Sequence, residues 1–115
     1  MRYVLLIYGS ETEYGKMSQQ EIGAMMQGHG QLAQSLVQSG AMVGGGPLQS
    51  TSTATTVRIR NGKTLITDGP FAETKEQLAG FYILNCKDLD EAIATANKIP
   101  DVSLGSVEIR PMVEV

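Results

Sequence analysis

Gly80-Phe81-Tyr82-Ile83-Leu84-Asn85-Cys86 is the stretch on which the fold turns. Along a strand, alternation sends Phe81 and Ile83 to one face and Tyr82 and Leu84 to the other. All four are large and apolar or aromatic, and a strand with two such faces is covered on both sides and lies inside its sheet. Tyr3-Val4-Leu5-Leu6-Ile7-Tyr8 has the same character, with Val4 and Leu6 on one face, Leu5 and Ile7 on the other, and Gly9 to end it. The remaining strand candidates differ. Ala41 to Leu48 contains Gly44-Gly45-Gly46-Pro47, and proline cannot donate to a ladder, so this is an edge strand. Val107 to Val115 alternates, with Val107, Ile109, Val113 and Val115 inward and Glu108, Arg110 and Glu114 outward.

Two helices separate these strands. Ser18-Gln19-Gln20-Glu21 is a capping box, in which Ser18 accepts from an orphan N–H and Glu21 reaches back. Ile22, Met25, Met26, His29, Ala33, Leu36 and Val37 follow at helical spacing, and Gly40 is a natural stop. Gly28 and Gly30 weaken this helix by roughly 1 kcal/mol each relative to alanine, so another requirement favours them. Asp88 caps the second helix, with Glu91 at the capping-box position. Its apolar stripe is Leu89, Ala92, Ile93, Ala96 and Ile99, and Pro100 ends it.

Between the edge strand and Gly80 lies a hairpin. Thr55 to Arg60 alternates, with Val57 and Ile59 on the inward face and Arg58 and Arg60 outward. Asn61-Gly62 is a two-residue type I′ turn signal, and Lys63 to Thr67 returns. Residues 9 to 17 read as a polar loop, and Phe71 to Leu78 as a polar connector. The order is β-α-β, hairpin, β-α-β. Without the hairpin this is the split-βαβ, ferredoxin-like order, in which the first and third strands are central. The fold class is therefore α+β, with 115 residues forming a single domain over 1–115.

Two helices cover only one face of such a sheet. The other apolar face needs a partner, and the simplest is a second copy related by a two-fold axis.

Composition narrows the function classes. Net charge is −3, and the nine Lys and Arg are scattered among twelve Asp and Glu. A nucleic-acid binder needs a basic face, so neither nucleic acid nor a membrane surface is an expected partner. Cys86, the single cysteine, ends an apolar run and reads as a small buried hydrophobe. The apolar N-terminal stretch is too short for a signal peptide, and no window approaches a membrane span. The expected compartment is the cytoplasm. One His, one Cys and dispersed carboxylates give no metal-ligand spacing, so neither a metal nor a cofactor is expected.

His29, the only histidine, is the first candidate for chemistry. An imidazole is the usual general acid or base near neutral pH. Helical spacing puts His29 on the apolar face beside Met25 and Met26, and Gly28 and Gly30 clear space next to the ring. The competing reading is a core histidine bonded to a backbone carbonyl. Asp68 either opens the Asp68-Gly69-Pro70 turn or supplies a carboxylate that orients His29. Tyr3, Tyr8 and Tyr82 are the candidate hydroxyls. Arg110 either holds an anionic ligand or forms a surface ion pair. Lys75, between Glu73 and Glu76, is a solvated charge. The glycine run at 44–46 lacks the lysine of a phosphate loop and serves close packing or room for a small ligand.

Thr67-Asp-Gly-Pro-Phe-Ala-Glu-Thr-Lys-Glu-Gln-Leu-Ala-Gly-Phe-Tyr82 resembles the YCII-related superfamily, and more closely its DGPF-domain branch, named for the Asp-Gly-Pro-Phe motif. The likeness extends to Leu5–Tyr8, the His29 helix, Gly46-Pro47, Leu89–Ala92, Ile99-Pro100 and Val107–Pro111. It implies a ferredoxin-like fold that dimerises through its sheets into an α+β barrel, and a cleft with a His–Asp pair. His29 matches the family histidine. The superfamily places an Asp-Pro pair after the second helix, where this chain has Ile99-Pro100. Asp68 is then the first candidate partner and Asp101 the second. The resulting expectation is a homodimeric enzyme performing acid/base chemistry, such as isomerisation or elimination, on a small molecule. The rival is a non-catalytic module that holds a small ligand or a regulatory protein in the same cleft.

Overall fold

The computed structural model describes residues 1–114. The two stretches with two apolar faces become β1 (Arg2–Gly9) and β5 (Gln77–Asn85), which pair antiparallel at the centre of a four-stranded sheet. The glycine-rich strand β2 (Met42–Pro47) flanks β5, and β6 (Ser106–Pro111) flanks β1, giving the order β2-β5-β1-β6. All three pairings are antiparallel, so the split-βαβ order expected from the sequence is the one observed.

Tyr3, Leu5 and Ile7 of β1 and Tyr82 and Leu84 of β5 are buried on one face. They form a single core with Leu32 and Leu36 of α2 (Gln19–Gln38), Ala92 and Ala96 of α3 (Leu89–Ala96), Ile99 and Cys86. Leu5 and Leu84 are fully enclosed. The opposite parity, Val4, Leu6, Phe81 and Ile83, faces away from the helices and stays half-exposed. The molecule is correspondingly flat, 19 Å through its thinnest axis, which is one sheet and one helix layer.

Both helix starts follow local chemistry. Ser18 and Glu21 form the reciprocal capping box, and the Asp88 carboxylate accepts from the Glu91 N–H at 2.9 Å. Gly40, past the C-terminus of α2, has φ +79°. In α3 the smaller residues pack, while Leu89 and Ile93 of the expected stripe are exposed.

Several expectations are corrected. The loop expected at 9–17 contains a short helix, α1 (Glu11–Gly15), capped by Ser10, which accepts from the Glu13 N–H. The hairpin β3 (Thr55–Arg60) and β4 (Lys63–Asp68) turns at Asn61-Gly62 with positive φ at both. Its pairing of Arg60 with Lys63 and Val57 with Ile66 is the one that turn dictates. Its inward face is not inward, however. Val57 and Ile59 are exposed like Arg58 and Arg60, because the hairpin forms its own two-stranded sheet and projects from the body. Val113 is exposed as well. β6 stops at Pro111, where β1, its neighbour in the sheet, runs out at its N-terminal end. The inward place expected for Val115 lies outside the described residues. The four-stranded sheet is open, and among the described residues no barrel closes within one chain.

Candidate functional site

The apolar stripe of α2 splits in two. Its C-terminal half enters the core through Leu36, joined by Leu32, while Val37 of the expected stripe turns to solvent and is 64% exposed. Its N-terminal half, with Ile22, Met25, Met26 and His29, stands over a cavity of about 720 Å³. β5 and β2 line it through Gly80, Phe81, Tyr82 and Gly46, and α1 through Glu11 and Tyr14. The glycine run of β2 serves both purposes expected of it. A Cβ at Gly45 would fall 2.3 Å from the Phe81 carbonyl oxygen, and Gly46 opens onto the cavity.

Both imidazole nitrogens of His29 are engaged. Nε2 meets Asp101 Oδ1 in a very short contact, and Nδ1 lies 2.7 Å from the Tyr82 hydroxyl. Asp101 Oδ2 accepts from the Tyr14 hydroxyl at 2.7 Å. The result is a continuous chain: Tyr82 Oη, His29, Asp101, Tyr14 Oη. Burial alone would raise the Asp101 carboxyl. The hydrogen bonds from His29 and Tyr14, together with the imidazole charge, outweigh that and hold it below the ordinary carboxylate range. Asp101 is therefore an acceptor on both oxygens, and His29 Nε2 carries a proton. In the neutral ring Nδ1 is then the free lone pair, and Tyr82 donates to it. Burial and the nearby Asp101 charge push the Tyr82 phenol up. Burial, the hydrogen bond to Asp101 and the charges of Asp101 and Glu76 push Tyr14 up. Both phenols hold their protons.

Two glycines make this arrangement possible. A Cβ at Gly28 would sit 2.8 Å from Pro100 Cγ, so only glycine lets the Pro100–Ser103 turn approach α2 and bring Asp101 under His29. A Cβ at Gly9 would fall 2.4 Å from the Tyr14 hydroxyl oxygen, so the Tyr14 ring lies across bare backbone on its way to Asp101. Beside the histidine, Gly30 has nothing within 4 Å of its Cβ position and borders the cavity. The His29 side chain keeps 21% of its surface exposed, against 6% for Asp101. The imidazole opens onto the cavity and the carboxylate stands behind it.

Asp68, the first candidate partner, is not at this site. It ends β4 opposite Thr55 and is exposed at the base of the hairpin. The partner is Asp101, delivered by the turn that begins at Pro100. Tyr82 is in the chain of contacts. Tyr3 is in the core, its hydroxyl directed at Met1 Sδ. Tyr8 is half-buried and does not line the cavity. Arg110 pairs with Glu108 on an exposed edge and takes no part. Tyr14 went unnoticed in the sequence because it lay in an apparent polar loop; Gly9 immediately after a strand was the available signal. Glu11 accepts from the Thr51 N–H at 2.8 Å and from the Thr51 hydroxyl at 3.0 Å, which ties α1 to the segment after β2.

No Lys or Arg lines the cavity among the described residues, nor does any group of three or more His, Cys, Asp or Glu side chains stand close enough to share a metal ion. Cys86 is buried, and burial pushes its thiol up, so it is held as the neutral thiol. No helix among the described residues is long and apolar enough to cross a membrane.

Residues 1–115 match the model of the YCII-related domain. An uncharacterised protein of Rhizobium meliloti (strain 1021) is 38% identical over 114 residues, spanning 97% of this chain and 92% of its own length.

Proposed function

The chain belongs to the YCII-related family, and we propose that it acts as a small-molecule enzyme whose reaction is proton transfer by His29. The observation that carries this reading is the cavity-facing imidazole with Asp101 behind it and Tyr82 in front. A buried carboxylate on Nε2 fixes the tautomer that leaves Nδ1 basic and faces the positive charge that forms there. A substrate proton passes to Nδ1 directly, or to Tyr82 Oη as the Tyr82 proton moves to Nδ1. Returned to a different substrate atom, that proton completes an isomerisation; given to a departing group, it completes an elimination. Each step balances on this chain's own side chains. Tyr14 is a positioning residue, holding the second oxygen of Asp101.

The lining defines the substrate class. Methionine, isoleucine, leucine and glycine surround most of the volume, and the charged groups present are the carboxylates of Glu11 and Asp101. Carboxylates in an apolar wall repel anions. The substrate is accordingly a molecule without negative charge, with an apolar or aromatic body and one acidic C–H or O–H near His29. The assembly reading is a homodimer paired through the open sheet face, because Val4, Leu6, Phe81 and Ile83 on that face are only partly buried.

A non-catalytic ligand-binding or regulatory module is the second reading, favoured by the largely apolar lining. Solvent exchange separates the two. Enolisable ketones incubated with the protein in D₂O are followed by NMR for deuterium uptake. Uptake with the wild type and its loss in His29→Gln supports the enzyme. Ligand binding with no exchange, or equal exchange in both proteins, sinks it.

A further inference from the structure

We propose that the β3–β4 hairpin is an arm that seats on a second copy of this chain, an inference that rests on the homodimer reading above. The arm springs from the cavity mouth. Gln49 and Ser50 before it and Leu78 and Ala79 after it all line the cavity. Its root is built firmly. The Gly69 N–H donates to the Ala54 carbonyl at 2.7 Å, Thr56 Oγ1 donates to the Gly69 carbonyl at 2.8 Å, and Arg58 donates to the Phe71 carbonyl at 3.1 Å. The Asp68-Gly69-Pro70-Phe71 corner is thus the hinge-plate of a defined ribbon. It leaves the Phe71 ring 77% exposed.

The pairing register sorts the arm into two faces. Val57, Ile59 and Ile66 share one, and Arg58, Arg60, Lys63 and Leu65 share the opposite one. The three branched apolar side chains are 61%, 65% and 70% exposed. An isolated two-stranded hairpin is marginal in water, and a face of this composition calls for cover. The chain's own body supplies little of it: among the described residues β3 and β4 pack chiefly on each other. The radius of gyration, 15.9 Å, exceeds the roughly 13 Å of a compact domain this long.

The second copy offers both complements. Its open sheet face presents Val4, Leu6, Phe81 and Ile83. Its charge is opposite to the arm's. Residues 55–68 hold three cations and one carboxylate, while the remainder of the chain holds six cations against eleven carboxylates. A basic arm on an acidic body draws two copies together and not two arms. Two-fold symmetry then seats each arm on the other copy, and the interface borders both cavity mouths.

The test is sedimentation equilibrium of the full chain over a dilution series. Val57→Lys with Ile59→Lys leaves the core untouched and should raise the dimer dissociation constant at least about tenfold, with an unchanged circular dichroism spectrum. Arg58→Glu with Arg60→Glu should weaken the dimer and remove its dependence on salt. A wild-type dimer that neither double variant weakens overturns the arm and leaves the homodimer standing. A wild type that stays monomeric at micromolar concentration overturns both.

Discussion

The two halves of α2 carry one continuous apolar stripe and use it differently. Leu32 and Leu36 are 8% exposed and belong to the core. One to three turns earlier, Ile22, Met25, Met26 and His29 present the same face to a cavity, with Met26 49% exposed. Helical periodicity says which side of a helix faces the sheet; it does not say whether anything stands there to meet it. The glycines of β2 and the open surroundings of Gly30 withhold side chains where the cavity lies, and the small residues make the void.

The contrast can be broken by substitution. His29→Gln, in the cavity half, should slow proton transfer by about 10²- to 10⁴-fold while the urea midpoint of unfolding stays close to wild type. Parallel turnover and denaturation measurements check both parts. Leu36→Ala, in the packed half, should do the reverse. It removes a buried side chain from a closed core and should cost about 2–4 kcal/mol of stability, read by urea titration. Equal costs for Leu36→Ala and Met26→Ala would dissolve the distinction.

A pH titration sharpens it. The Asp101 carboxyl is held below its ordinary value in the folded state, so the unfolded chain binds its proton first as pH falls. The stabilisation is present above the ordinary carboxylate pKa and is lost as pH drops through the lower, folded value. Asp101→Asn should flatten that part of the acid limb of a stability-versus-pH curve relative to wild type, and an unchanged limb would contradict the pairing with His29. The smallest effect belongs to Met26→Ala. Its side chain lines a cavity and is half in water, so stability should change by less than about 1 kcal/mol, while binding of an apolar ligand weakens in calorimetry.

The parts of this molecule that follow from neighbouring residues were legible in the sequence. The doubly apolar strands Tyr3–Tyr8 and Gly80–Cys86 placed themselves at the sheet centre, Ser18 and Asp88 marked helix starts, and Asn61-Gly62 turned the hairpin. The parts that depend on distant residues were not. Alternation in Thr55–Arg60 implied a buried face only if a core lay beneath it, and none does. Asp68 looked the better partner for His29 because it sat in a long, distinctive motif. Asp101 wins because Gly28 admits Pro100 against α2, a contact between segments far apart in the sequence that no local pattern records. Tyr14 escaped notice for the same reason.

The contacts of the relay also bear on how the molecule comes into being. Tyr82 is 53 positions from His29, Asp101 is 72 from His29, and Tyr14 is 87 from Asp101. Closing loops of that length comes late and slowly in folding. During synthesis, helix α2 emerges long before the turn at Pro100. A nascent chain therefore holds its imidazole without its carboxylate until almost all of the domain has been made, and the proton relay comes into existence only as folding finishes.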